Sequence, residues 1–264
     1  MKRFAVIGDP IAHSRSPRLH AAAYAALGLP HTYEARRIAG LELAGVVRDL
    51  REGRLDGCNV TLPHKVAVLE HVDRVAPSAA AFGVANTLVR DRHGAVVAHN
   101  TDIPALAAEL EALGVNRRGT AIVLGSGGAA RAAVAALYML RVASIVVRSR
   151  SPMQLPAGIR VLAERLRPGQ AERAAGVVIQ ATSLGLDTND AATLPALAID
   201  WAALPPAAVA LDLVYAPHRT PFLHAAGTRP HADGLGMLAR QGALAFELWL
   251  GVRAPLYTMW QAIS

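Results

Sequence analysis

Apolar residues run together over residues 4–8 (FAVIG), give way to a polar loop, DPIAHSRSP, and resume in an alanine-rich stretch over 18–27 that stops at Gly28. A short apolar run bounded by turn residues is a buried strand, and a longer Ala-rich run closed by glycine is a helix. The pattern then predicts a strand over 31–38 (HTYEARRI), a helix over 41–52 and a strand over 57–62 (GCNVTL). A further helix over about 64–72 is expected after Pro63. Two apolar runs, 84–90 and 95–100, flank DRHG, whose Gly94 predicts a hairpin turn. Residues 1–101 read as a mixed α/β unit.

From Asp102 the spacing predicts a helix ending at Gly114, then strands at 120–124, 143–147, 159–162, 176–182 and 209–215 separated by helical or loop segments. Continuous Val/Ile/Leu strands alternating with helices mean a parallel sheet covered on both faces. The last segment, GMLARQGALAFELWLG over 236–251, has helical spacing and no further strand to feed. It is expected to pack back on the first unit. The fold class is α/β, with domains expected at 1–101, 102–235 and 236–264.

Composition narrows the classes. The 264 residues are 53% hydrophobic and 18% charged, against about 45–50% and about 25% in an average soluble domain, which excludes disorder. The net charge of +7 raises the question of nucleic acid. The basic residues are, however, scattered singly or in pairs and are not interleaved with aromatics, so a small anionic substrate and a phosphorylated cofactor fit better. No membrane span and no signal segment are expected, since the apolar run after Lys2 and Arg3 is cut short by Asp9 and Pro10. One cysteine, Cys58, fits a reducing, cytoplasmic compartment. Of the 27 basic residues only Lys2 and Lys65 are lysines, which singles out Lys65.

Strand 120–124 runs into GSGGAA and a helix, giving G-x-G-x-x-A at Gly125, Gly127 and Ala130. Gly125 permits the tight turn, Gly127 lets a pyrophosphate approach the backbone, and Ala130 lets helix and strand pack closely. The phosphate would sit on the helix N-terminus, as in a Rossmann-type dinucleotide site. At the end of the next strand an NAD enzyme usually places an acid for the ribose hydroxyls. Here Arg148, Ser149, Arg150 and Ser151 stand instead, which suits the 2′-phosphate of NADP. Arg148, directly after the strand, also reads as part of a solvated basic loop.

Three of the five asparagines fall at predicted strand ends, in Asn59-Val60-Thr61, Asn86-Thr87 and Asn100-Thr101-Asp102. Amides and hydroxyls presented together read a polyhydroxylated small molecule, although the same residue types also close turns. Lys65, in the first turn of the expected helix, is badly placed against the macrodipole, so a functional role as proton donor or acceptor explains it better. Asp102 reads equally as a helix cap before Pro104 or as the partner of Lys65. Ser16 before Pro17 is an ordinary helix cap, while Ser14 has no such duty and would join a carboxylate cradle. His13, His20 and His64 lack metal-ligand spacing, and no metal is expected.

The order and spacing of HSRSP, NVTLPHK, VANT, NTD, GSGGA, SRS, QATSLG, DLVY with TPFL, and ADGLGMLARQ resemble the shikimate dehydrogenase family nearly end to end. The resemblance implies reversible reduction of 3-dehydroshikimate to shikimate with NADPH, a step toward chorismate and the aromatic amino acids. It implies a substrate-binding first domain, a Rossmann-type doubly wound NADP domain, and a final helix returning to the first. Ser14, Ser16, Thr61 and Tyr215 would hold the carboxylate; Asn59, Asn86, Asp102 and Gln241 would meet the ring hydroxyls; Lys65 would be the acid/base. Gly125, Ser126, Gly127, Gly128, Ala129, Ser149, Arg150 and Ser151 would bind the cofactor, with Leu213 (through its backbone), Gly234 and Met237 on the nicotinamide side. The family's Asn-Arg-Thr loop is replaced by Ser149, Arg150 and Ser151, and its second arginine by Gln154, leaving Arg148 to compensate. A monomer or homodimer is expected. Rival readings are a sister enzyme for quinate or an aminated analogue with NAD(P), and a non-catalytic dinucleotide-binding module. The module would be marked by loss of Lys65 or Asp102, and both are present.

Overall fold

Two separate sheets account for the alternating pattern in a computed structural model that describes residues 1–164, 169–185, 197–215 and 220–264. The chain divides into one unit of residues 1–105 with 238–264 and another of residues 106–237. Among the described residues no helix is long and apolar enough to cross a membrane.

The first unit contains β1 (Arg3–Gly8), α1 (Ser16–Ala26), β2 (Thr32–Arg37), α2 (Leu43–Arg51), β3 (Gly57–Val60), β4 (Arg74–Val75), α3 (Pro77–Ala80), β5 (Thr87–Arg90) and β6 (Val96–His99). Its strand order is β2-β1-β3-β5-β6-β4. The sheet is mixed because β5 runs antiparallel to both β3 and β6, the latter through the hairpin at Gly94, whose φ is +85°. Helix α2 buries Leu43, Val46, Val47 and Leu50, one face at helical spacing, against Ile7, Cys58, Val60 and Leu88.

The helix expected over 64–72 is absent; residues Ala67–Glu70 form a single 3₁₀ turn. The reason is a diverted carbonyl. The oxygen of Lys65 accepts the Ala85 N–H at 2.9 Å, so the Leu69 N–H that an α-helix would give it turns to Val66 instead. The same bond fixes the backbone of Lys65 beside the start of β5.

The other unit is built on α4 (Asp102–Ala112), β7 (Thr120–Leu124), α5 (Gly128–Met139), β8 (Ser144–Arg148), β9 (Leu162–Glu164), β10 (Ala175–Gln180), β11 (Val209–Asp212), α6 (Pro221–Ala226) and β12 (His231–Ala232). Its order is β12-β11-β10-β7-β8-β9, with every pairing parallel. The order reverses at β7 and β10, the switch point where doubly wound sheets bind ligands. Strand β9 lies later than the expected 159–162, because the pairing with β8 sets Val146 opposite Leu162 and Arg148 opposite Glu164. Helices α7 (Leu235–Leu250) and α8 (Leu256–Ile263) close the chain. The boundaries between the units fall inside α4 and α7.

Candidate active site

The register of the mixed sheet brings the polar strand ends to one side. Ile7 pairs with Val60 in parallel, Asn59 pairs with Thr87, and Thr87 pairs with His99. Thr61, Asn86 and the Asn100-Thr101-Asp102 turn therefore leave the sheet at the same edge. Lys65 Nζ donates to Asp102 Oδ2 at 2.7 Å, with the two side chains 15% and 5% exposed. The other oxygen of Asp102 accepts from Asn86 Nδ2 at 2.8 Å. Asp102 is not the cap of α4. That bond comes from Asn100, whose Oδ1 accepts the Ile103 N–H at 2.9 Å, leaving the Asp102 carboxylate to Lys65 and Asn86.

Asn86 is held from both ends of its amide. Its Oδ1 accepts from the Thr101 N–H at 2.7 Å and from the Thr87 hydroxyl at 3.0 Å. Its two N–H hydrogens face Thr101 Oγ1 at 2.9 Å, Asp102 Oδ1 at 2.8 Å and Gln241 Oε1 at 3.2 Å. Two hydrogens cannot serve three acceptors, so an acceptor remains for a ligand hydroxyl. Asn59, expected to meet ring hydroxyls, is turned inward instead: its Nδ2 donates to the Asn86 carbonyl at 3.1 Å and to Thr87 Oγ1 at 3.0 Å, and its Oδ1 accepts from Tyr33. It is scaffold for Asn86.

Sequence reading assigns the cap of α1 to Ser16, and the structure corrects it. Ser16 is the first helical residue and its side chain makes no capping bond, whereas Ser14 Oγ accepts the Ser16 N–H at 3.3 Å. Arg15 occupies the cap position with no side-chain capping bond, so Ser14→Ala, which removes one turn hydrogen bond, is expected to lower stability by at most about 0.5–1.5 kcal/mol, with Ser16→Ala costing less, as read from thermal melts of the two variants. Thr61 lies beside Gly8, where an added Cβ would come within 2.5 Å of Thr61 Cγ2.

The glycine turn of the other unit is built for an anion. Gly125 has φ of +115°, and a Cβ there would lie 2.9 Å from the Ala181 carbonyl oxygen. Gly127 precedes α5 in extended conformation with open space where a Cβ would be, and no side chain caps the first turn, which carries no acid. The leading N–H groups of α5 thus stay available beside Ser126, Gly128 and Ala129, while Ala130 is fully buried against the sheet. At the end of β8, Arg150 and Ser151 are exposed, and the Ser149 hydroxyl donates to the Ser151 carbonyl.

Arg148 is excluded from phosphate recognition. Its side chain is 0% exposed. It donates to Glu164 Oε2 at 2.8 Å and, with two guanidinium nitrogens, to both oxygens of Glu172, which is itself fully buried. Burial pulls this arginine down, but the hydrogen bonds it donates to Glu172 and Glu164 outweigh it and hold it above its ordinary value. Gln154 is exposed.

On the expected nicotinamide side, a Cβ on Gly234 would lie 2.5 Å from the Leu213 carbonyl oxygen, so glycine lets the two backbones touch. Met237, on α7, is buried, and Tyr215 is half-buried at the edge of the described segment. Sequence reading missed Asp212, which organises this turn: its carboxylate accepts from the Val214 N–H at 3.0 Å and from the Thr220 hydroxyl at 2.5 Å. Burial pushes it up to about 6. Its place within DLVY, between an apolar strand and a turn, was the available signal. Among the described residues no cluster of His, Cys, Asp and Glu could hold a metal ion.

Comparison with known proteins fits this geometry. The family model described as the shikimate dehydrogenase substrate binding domain matches residues 6–88, and that of the shikimate 5'-dehydrogenase C-terminal domain matches residues 234–263. A shikimate dehydrogenase (NADP(+)) from Citrifermentans bemidjiense is 40% identical, over 98% of this chain and 93% of its own. The chain belongs to the shikimate dehydrogenase family. A second family member, the shikimate dehydrogenase (NADP(+)) of Thermus thermophilus, is also 40% identical, over 96% of this chain and 94% of its own. A crystal structure of a Thermus thermophilus shikimate 5-dehydrogenase in complex with NADP(H) and shikimate superimposes with a TM-score of 0.87 at 38% identity, covering 100% of this chain and 98% of that one.

Proposed function

We propose that the enzyme interconverts 3-dehydroshikimate and shikimate with NADPH and NADP+, as its family relatives are named for doing. The observation that carries the reading is the Lys65 ammonium held at 2.7 Å by a buried Asp102 whose second oxygen is tied to Asn86. When bound, NADPH supplies the hydride that arrives at the carbonyl carbon. Lys65 gives its proton to the carbonyl oxygen as that carbon is reduced, the C=O becomes CH–OH, and the amine regains a proton from water. In the reverse direction the neutral amine removes the hydroxyl proton. Asp102 orients the lysine and accepts from a ring hydroxyl, and Gln241 Oε1, one of the acceptors competing for Asn86, takes another. Ser14, Ser16 and Thr61 hold the carboxylate. Asn59 serves as support for Asn86.

The dinucleotide fits the other unit's residues. The uncapped N-terminus of α5, with Gly125, Ser126, Gly127, Gly128 and Ala129, would hold the pyrophosphate. Arg150, with Ser149 and Ser151, would meet the 2′-phosphate, and Leu213, Gly234 and Met237 would face the nicotinamide. Replacing Arg150 by alanine is expected to raise the KM for NADPH about tenfold or more, since charge-assisted hydrogen bonds contribute about 1.5–3 kcal/mol. The KM for NADH should stay nearly unchanged, and equal loss with both cofactors would give Arg150 a structural role. The buried thiol of Cys58 suits a cytoplasmic enzyme, acting as a monomer or homodimer. Steady-state turnover of shikimate and quinate with NADP+ and NAD+ tests the reading, and a preference for quinate or for NAD+ would overturn it.

A further inference from the structure

Behind Asn59 lies a residue that no part of the proposed chemistry uses. Tyr33, on the edge strand β2, donates its hydroxyl to Asn59 Oδ1 at 2.7 Å. The direction is forced, because an amide oxygen only accepts. The amide links are also fixed in sense. The Asn86 carbonyl can only accept, which identifies the Asn59 atom facing it at 3.1 Å as the amide nitrogen, and that nitrogen also donates to Thr87 Oγ1 at 3.0 Å. The Thr87 hydroxyl donates to Asn86 Oδ1 at 3.0 Å, Asn86 Nδ2 donates to Asp102 Oδ1 at 2.8 Å, and Lys65 meets the other carboxylate oxygen. A hydrogen-bond chain thus runs from Tyr33 to the acid/base pair, branching at the direct Asn59–Asn86 bond and at Thr101, and its links Asn59, Thr87, Asn86 and Asp102 are all buried.

The start of the chain is itself held in place. The Tyr33 ring lies parallel to His20, with centroids 4.1 Å apart and planes 10° apart, and His20 is completely buried. Among the described residues neither nitrogen of that imidazole has a hydrogen-bond partner, and burial pulls it down to about 3, so it stays neutral and acts as a flat apolar surface. A histidine placed there stiffens the tyrosine ring without supplying charge.

We infer that Tyr33 is a positioning residue for the Lys65–Asp102 pair, acting through Asn59, Thr87 and Asn86. The inference rests on the proposed dehydrogenase reaction. Tyr33→Phe removes the hydroxyl and keeps the stacked ring. It is expected to lower kcat for shikimate oxidation about tenfold, because small misplacements of catalytic groups are costly, while the KM for NADP+ stays near wild type and the melting temperature falls by no more than roughly the few degrees that one orphaned acceptor accounts for. Thr87→Val breaks the same chain further along. In the double variant the loss should not exceed that of the larger single one, whereas two unrelated packing defects would multiply. An unchanged kcat in Tyr33→Phe, or a multiplicative double variant, overturns the inference. Wild-type turnover is measured first: its absence overturns the proposed reaction, and the chain is then read from the side-chain amide NMR resonances of Asn86. Those resonances shift in Tyr33→Phe if the chain is intact in the wild type, and their constancy refutes it.

Discussion

Lys65→Ala is expected to lower kcat for shikimate oxidation by about 10²–10⁴, the usual contribution of a general acid/base, while shikimate binding stays measurable. The lysine is where the reacting proton resides, and the rest of the pocket still presents its hydroxyls and amides. Lys65→Arg should fail as well, since a guanidinium keeps the charge and does not release its proton near neutral pH. Removing Lys65 also leaves the 5%-exposed Asp102 side chain with Asn86 but no cation. Melting curves and shikimate calorimetry on Lys65→Met, which fills the volume, separate lost chemistry from lost folding. Turnover within a few-fold of wild type in a correctly folded variant would remove Lys65 from the reaction.

The largest effect on stability is expected at Arg148, and it reverses the role its position suggests. Arg148→Met leaves Glu172 buried without its cation, and breaking one side of such a pair costs about 3–5 kcal/mol. Urea unfolding should show this loss, and Arg148→Met combined with Glu172→Leu should recover most of it. Acid gives an independent check. Burial raises Glu172, but its hydrogen bonds from Arg148 pull harder and hold it below the ordinary carboxylate range. A carboxylate lowered on folding contributes stability above its unfolded value of about 4.3, and that contribution fades as pH falls through the folded value. The gap between wild type and Arg148→Met should therefore narrow in acid, where a proton neutralises the orphaned Glu172. A gap that stays constant with pH would mean the ion pair does not hold this edge of the sheet. The KM for NADPH, measured where the variant is folded, should not change.

The parallel sheet was legible because its strands are unbroken apolar runs punctuated by glycine, and Gly125 and Gly127 carry their reason in their lack of a side chain. Lys65 was legible from residue type, since one lysine stood out in a chain that otherwise writes its positive charge as arginine, whereas Asp102 read equally as a helix cap and as its partner until Asn100 was seen to take the capping bond. What escaped was set by partners distant in sequence. Arg148 looks like a loop residue until Glu164 and Glu172, 16 and 24 positions on, fold over it. Asn59 differs from a ligand-binding asparagine only in that Tyr33, 26 positions earlier, takes its oxygen. The missing helix after Pro63 depends on a single carbonyl captured by Ala85, and α8, of eight residues, is too short to announce itself by periodicity.

The division of the chain also has a consequence for its birth on the ribosome. The first unit is completed by residues 238–264, which are made only after the whole of 106–237. Trp249 stacks on Phe4 with centroids 4.8 Å apart, its indole N–H donates to the Leu88 carbonyl at 3.0 Å, and it lies so close to Gly57 that a Cβ there would be 2.3 Å from the indole nitrogen. Farther along, the Arg15 guanidinium donates to the Ile263 carbonyl. The sheet of the first unit thus waits for its aromatic cover until Trp249 has been made, while the contiguous unit over 106–237 has its whole sequence earlier. A nascent chain stalled before Trp249 presents Phe4 and its neighbours uncovered, which makes translation speed through the second unit the interval over which the first is open to misfolding.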